Sequence, residues 1–341
     1  MSNTLAAMCA ATIALTAAPA IAWDAHGHAT ITFLALESAR ADLPDWLADR
    51  AAWRRVGYQA SEADRFRGTR LDVLAHENNP EHYMDLDLLE QFGLTARSLP
   101  RLRNDYLRAL IIAKHEHPER VDAYDAALDP EGDSEWPGFL PYAIMEQYAK
   151  LCSAFKSVRT LEIVNDPGRA AQLDQARANA IYHMGMLSHF VGDAAQPLHT
   201  TLHHHGWVGD NPDGFTTDAG IHARIDGGVL REHGIAFASL RARVSSPREI
   251  RSDDPWMDTL ALIRRSFREV RPLYELERTG ALSDEAGRRF IESRLLDAGR
   301  TLAGFYAAAW RAAEPTPDDV AAFLRYTPPL TPAWSPGRPA P

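Results

Sequence analysis

Cysteine is nearly absent: 341 residues hold only Cys9 and Cys152. Cys9 falls in an N-terminal segment expected to be removed, so the remaining chain has no internal disulfide to form. Cys152 lies in an apolar helical stretch with Tyr148, Ala149, Leu151 and Phe155 and reads as a small buried hydrophobe rather than a nucleophile. No segment after Trp23 has the run of about 18 apolar residues that a membrane span requires. Strand-like alternation and internal repeats are also missing. Positive charge is in deficit, and the net charge of -10 argues against tight, salt-sensitive binding along a nucleic acid duplex. It leaves room for an enzyme that takes one or two phosphates in a pocket, because bound cations reverse the local field there.

Met1 to Leu5 contains no Lys or Arg, yet Leu5 to Ala18 is small and apolar and Ala20-Ile21-Ala22 has the small-x-small pattern of a signal peptidase site. Residues 1–22 are therefore expected to be a signal peptide. The mature protein would begin at Trp23 and be secreted or periplasmic.

The helical period dominates what remains. Ile31, Leu34, Ala35 and Ala39 share a face, as do Leu107, Leu110, Ile111 and Ile112, and Tyr142, Met145, Tyr148, Ala149 and Cys152. Ile181, Met184, Leu187, Phe190 and Val191 mark a long apolar helix ending before Pro197, and Ile291, Leu295, Ala298, Leu302 and Phe305 form an amphipathic stripe. Residues 129–138 and 206–220 read as loops. The pattern predicts a mostly α fold, one helical domain over residues 23–313. After Glu314 the chain is Pro-rich, and residues 314–341 are expected to be extended or disordered.

Seven of the fourteen histidines fall between His183 and His222. His189 and Asp193 are four apart on a helix and project from one face; His222 and Asp226 repeat that spacing, and His199 lies between. Imidazole with carboxylate is a common ligand set for zinc. A single such pair is more often a surface pair; two with a histidine between them balance the readings, and the spacing by itself leaves both open.

Further pieces stand in order along the chain: Trp23-x-x-x-Gly27-His28, Asp64-x-x-Arg67, His82-Tyr83-Met84-Asp85, His189-Phe190-Val191-Gly192-Asp193-x-x-Gln196-Pro197-Leu198-His199, and His222-x-x-x-Asp226. This set resembles the superfamily that joins the single-strand-specific zinc nucleases (the nuclease P-one type) with the bacterial zinc-dependent phospholipases C. The resemblance covers Trp23 to about residue 230 and implies a helical domain with a cleft for three zinc ions. By similarity, Asp64, His82, His189 and Asp193 would hold one ion. Asp193 would bridge to a second, held also by His28 and by the amine and carbonyl of Trp23. His199, His222 and Asp226 would hold the third. Only a free N-terminus offers a neutral amine, whose ordinary pKa of about 8 lets it yield its proton to a metal.

The chemistry implied is attack on phosphorus by a hydroxide bridging two zincs. Asp85 matches the carboxylate that orients or deprotonates the nucleophile, and Arg67 matches the arginine that meets charge developing on the phosphoryl group. His76 is set aside for the His82 role because it lacks the His-aromatic-x-Asp pattern. His26, His183 and His203 to His205 have no match. Trp207, Tyr83 and Phe215 are assigned to packing rather than to a base-stacking wall.

The N-terminal pieces look like the nucleases. Gly220-x-His222-x-x-x-Asp226 looks closer to the phospholipases, and the nucleases' Gly-Gly-Asn segment is replaced by residues 206–217. No amphipathic basic segment suggests a membrane surface. The expectation is thus an exported zinc phosphodiesterase acting on single-stranded DNA, RNA or nucleotides. A phospholipase C acting on phospholipid is the alternative, and a non-catalytic zinc-binding protein a more distant one. No obligate protein partner is evident.

Overall fold

In the computed structural model, residues 23–69, 71–124 and 135–329 are described. The expected signal peptide, most of the loop at 129–138 and residues 330–341 lie outside them. The chain enters through α1 (Ala25–Ser38), capped by the Asp24 carboxylate accepting the Gly27 N–H at 3.0 Å. Two helices follow, α2 (Arg50–Gln59) and α3 (Glu62–Arg67), and then α4 (Asp72–Asn78), which runs into a 3-10 turn over Asn79–His82. After α5 (Arg103–Glu116) come the two longest inner helices, α6 (Leu140–Val164) and α7 (Ala170–Ala195).

The region 221–232 is one interrupted helix: α8 (Ile221–Ala223), a π-turn at Arg224–Gly228, and α9 (Val229–Glu232). The chain closes with α10 (Phe237–Leu240), α11 (Trp256–Phe267), α12 (Val270–Arg278), α13 (Glu285–Ala312) and α14 (Pro317–Tyr326). No strand occurs among the described residues, and the mostly α, single-domain reading holds.

α7 is the centre of the packing. It lies against α6, α13, α2 and α1, while α13 covers α1. From Met184 to Ala195 every residue of α7 is buried, which is why this stretch is apolar on all sides apart from the polar groups of the site. The stripe on α13 is buried as the periodicity predicts: Ile291, Leu295, Ala298, Leu302 and Phe305 are all fully inside. In α5 the expectation fails in part. Leu110 and Tyr106 face the core, but Ile111 and Ile112 are about half exposed because the helix lies at the surface and buries only one narrow stripe.

The segment after Glu314 is a second correction. It is not extended throughout, since α14 forms with Thr316 as N-cap and Pro317 at its first position. Thr316 and Asp319 satisfy each other's backbone N–H groups, and Pro with fixed φ is suited to that first turn. Lys156 of α6 pairs with Asp319 at 3.1 Å, and Arg169 donates to the Thr327 carbonyl at 2.7 Å. The helical domain therefore runs beyond residue 313. Cys152 is half-buried against the core, with burial holding its thiol above the usual range. No helix is long and apolar enough to cross a membrane among the described residues.

Candidate metal centre

α7 supplies the axis of the site. His189 and Asp193, four residues apart on its buried face, are both inaccessible to solvent. The His189 Nδ1–H donates to the Ala60 carbonyl between α2 and α3 at 2.8 Å. That bond selects the tautomer of the neutral ring and aims Nε2 inward. Nε2 lies 3.3 Å from Asp193 Oδ2, 3.8 Å from Asp64 Oδ1 on α3 and 3.0 Å from His82 Nδ1. His82, at the end of the 3-10 turn, reaches Asp193 Oδ2 at 3.1 Å and Asp64 Oδ1 at 3.9 Å. Four residues separated by up to 129 positions thus converge within a few ångströms.

α1 contributes His28. Its Nε2 is 3.4 Å from Asp193 Oδ1, and its ring stacks on His189 at 4.2 Å between centroids. Trp23 is fully buried beside it, and the indole N–H donates to the Gly192 carbonyl of α7 at 3.1 Å. The next residue is tied to the far side of the site, the Asp24 N–H donating to the Asp226 carbonyl at 3.0 Å. Gly27 makes this possible: a Cβ there would stand 2.9 Å from the Trp23 Cβ.

A second group forms at the other end. His199 follows the α7 terminus, and its Nδ1–H donates to the His82 carbonyl at 2.6 Å, leaving the Nε2 lone pair facing His222 Nε2 at 3.0 Å. His222 Nε2 is 3.4 Å from Asp226 Oδ2. The π-turn between α8 and α9 starts just after His222 and includes Asp226, a local distortion of a kind that often accompanies functional sites. Gln196 spans the gap: its Nε2 donates to Asp226 Oδ1 at 2.8 Å while its Oε1 accepts the Leu198 N–H at 2.6 Å.

Three buried groups could therefore hold metal ions: His28, Asp64 and His189; His82, His189 and Asp193; and His199, His222 and Asp226. The fit to a cation rests on orphaned atoms. Both ring nitrogens of His28, Asp64 Oδ1, Asp193 Oδ1, His222 Nδ1 and Asp226 Oδ2 are buried without a hydrogen-bond partner. Buried polar atoms are normally satisfied, and here lone pairs converge on one another, an arrangement that a cation resolves and another acceptor would worsen.

The electrostatics agree. Burial pushes Asp226 well above the carboxylate range and Asp64 to about 6, and lowers His82 to about 3. Burial followed by the His189 charge holds His28 well below the usual imidazole range. At His189 burial acts against the charge, but the carboxylates of Asp193 and Asp64 prevail and hold its imidazolium at about 9. Burial alone would raise Asp193; the His189 charge instead keeps it ionised well below the ordinary carboxylate range.

Eight of the nine residues expected as metal ligands lie in these groups, and Trp23, expected to bind through its amine and carbonyl, is held to α7 by its indole N–H. Arg67 ends α3, and its charge acts on Asp64, His82, His199 and His222. Asp85 is buried on the segment leading away from His82, where the neighbouring Met84 N–H is held by the His199 carbonyl at 2.9 Å and its own N–H by the Pro137 carbonyl at 2.7 Å. His76 stays exposed and contacts the Asp72 carbonyl, and His26 contacts Ile235, so neither joins the cluster. Trp207 and Phe215 pack on each other and on Tyr274.

Three features were not legible beforehand. Asn78 places its amide 3.0 Å from the Ala63 carbonyl and 3.1 Å from His82 Nε2. Gln196 orients Asp226, although the motif names it without a role. His204 and His205, which match nothing in the motif and stand as either supporting or loop residues, turn their rings toward His222 with centroids 6.2 and 5.2 Å away. No protein-family model and no curated protein matches this chain.

Proposed function

We propose that the protein is an exported zinc-dependent phosphodiesterase that hydrolyses single-stranded DNA or RNA. The observation that carries this reading is the convergence of three His and carboxylate groups around the end of α7, with Asp193 common to the ligands of α1 and the 3-10 turn and His189 to those of α3 and the 3-10 turn. Nitrogen and oxygen donors in this mixture suit zinc. The order of Trp23, His28, Asp64, His82, His189, Asp193, His199, His222 and Asp226 resembles that of the zinc nucleases. Bound zinc supplies a Lewis acid that lowers the pKa of water and offsets charge on a phosphoryl group.

The chain's own residues have separate tasks in this reading. Asp193 holds its two oxygens toward different imidazoles, Oδ1 toward His28 and Oδ2 toward His82 and His189. Asp85 receives the proton of the attacking water. Arg67, whose charge already reaches both ends of the cluster, meets the phosphoryl oxygens through its planar donor set. Trp23, freed as the N-terminus by cleavage after Ala22, adds its amine beside His28.

The test offers purified protein with zinc single-stranded DNA, RNA, a 3'-nucleotide and phosphatidylcholine vesicles, with Asp193→Ala as control. Cleavage of the strands, abolished in the variant, is expected. Cleavage of lipid alone would move the protein to the phospholipase branch, toward which the Gly220-x-His222-x-x-x-Asp226 spacing points. Hydrolysis of nothing, or equal activity in the variant, ends the catalytic reading.

A further inference from the structure

α2 is at odds with the acidic chain that contains it and corrects the expectation that no amphipathic basic segment is present, since its buried face of Ala52, Val56 and Gly57 stands opposite exposed arginines. From Arg50 to Gln59 it carries three arginines and no carboxylate. Arg50, Arg54 and Tyr58 recur every four residues and so form one outward stripe, with Arg55 alongside; all four are exposed. Among the described residues, the guanidiniums of Arg50, Arg54, Arg55 and the neighbouring Arg40 have no ion-pair or hydrogen-bond partner. Unpaired guanidiniums on one face of a protein of net charge -10 are a concentrated exception to its field.

The surface beneath them is shaped. A groove of about 280 Å³ is walled by Phe33, Trp53 and Phe237 and rimmed by Arg40, Arg50 and Arg54; its one carboxylate, Glu37, is occupied by Arg241 at 3.0 Å. A second groove of about 470 Å³ has Arg54, Arg55, Tyr58 and Gln59 in its lining and no carboxylate. Arg54 borders both, so the grooves adjoin along the helix. The far end of α2 leads to the metal centre. Arg65 of α3 lies over the Tyr58 ring at 4.2 Å and donates to the Tyr58 carbonyl, and the same helix carries Asp64 and Arg67.

We propose that this face is a track for the phosphodiester backbone of a single-stranded nucleic acid whose scissile phosphate lies at the metal centre. The inference rests on the nuclease reading and extends it by naming where the rest of the strand lies. Guanidiniums meet successive phosphates, and exposed rings such as Tyr58 offer a sequence-tolerant surface to the bases. Ten helical residues span about 15 Å, room for a few phosphates. Charge complementarity selects the occupant: an apolar partner would leave the arginines desolvated without a counter-charge.

The experiment compares a dinucleotide with a single strand of about 20 nucleotides, both cleaved by zinc-supplied protein across a salt series. The variants are R50A/R54A/R55A and the charge-preserving R50K/R54K/R55K. For the alanine variant, kcat/KM on the long strand is expected to fall about tenfold at low salt. Its slope against log salt should flatten by about 2, roughly 0.7 for each phosphate that the three side chains no longer neutralise. Dinucleotide turnover should be unchanged, and the lysine variant should retain most of the long-strand activity. Equal reductions on both substrates, or none on either, overturn the track. If the unmodified protein cleaves neither, the nuclease reading fails, and anisotropy of a fluorescent strand then decides the track separately: salt-sensitive binding that disappears in the alanine variant upholds it. Absent binding, or binding of anionic vesicles in place of the strand, overturns it.

Discussion

The His28 ring lies directly against Gly192, so that a Cβ at that position would stand 2.9 Å from His28 Nδ1. The glycine between Val191 and Asp193 is thus the space in which a ligand from α1 meets the ligands of α7. Gly192→Ala forces His28 to shift and is expected to lower metal content by about one equivalent while costing about 1–3 kcal/mol by overpacking. Metal analysis beside urea unfolding checks both. A fully loaded variant would show that His28 is not a ligand.

Gln196 acts on one end of the site only. Replacing it with Leu leaves Asp226 Oδ1 without its amide donor in a buried setting. If His199, His222 and Asp226 hold a metal as proposed, its affinity should fall about 10–100-fold, as for other partners that orient a ligand. Competition with a chromophoric chelator should show one weakened site and the others unchanged.

The N-terminus supplies a third test. Protein beginning at Trp23 is expected to bind one more zinc equivalent than protein retaining Ala22, because only the former offers the free Trp23 amine that the proposed function assigns to the ligand set. Equal stoichiometry would remove Trp23 from the ligand set.

Metal-free protein should lose stability as pH rises from about 6.5 to 9. His189 is held at about 9 in the fold, above the unfolded value of 6.5, so its contribution is complete below 6.5 and is lost as pH climbs through 9. Asp193, Asp64, His82 and His28 face it; Asp64 at about 6 and His82 at about 3 have titrated before this window opens. His189 by itself contributes a slope of about 1.4 kcal/mol per pH unit, and Asp226, held well above the carboxylate range, acts in the same direction. Zinc displaces that proton, so the loaded protein should melt higher and its zinc affinity should rise across the same range. Melting curves with and without chelator measure the first, and proton release on zinc addition at pH 7 the second.

Much of this was legible in the sequence because it is local. The four-residue spacing of His189 and Asp193 puts both on one helix face wherever that helix goes, and the periodicity of α13 names its own buried stripe. α5 shows the limit of that reading: Ile111 and Ile112 fit the apolar pattern, yet their exposure depends on what packs against the helix. α14 shows it again, since a Pro-rich composition concealed Pro317 at the one helical position that favours it.

The sequence by itself determined the helical class and which histidines and carboxylates sit at ligand spacing within each element. Only the tertiary structure decided that His28 and His82 meet Asp193 and that Asp64 meets His189, because those contacts close chain separations of more than a hundred residues and depend on α1, α3 and the 3-10 turn packing on α7. It also decided which ring nitrogen faces inward, through the carbonyls of Ala60 and His82. Spacing can supply a ligand, but its tautomer and direction come from a backbone partner elsewhere in the fold.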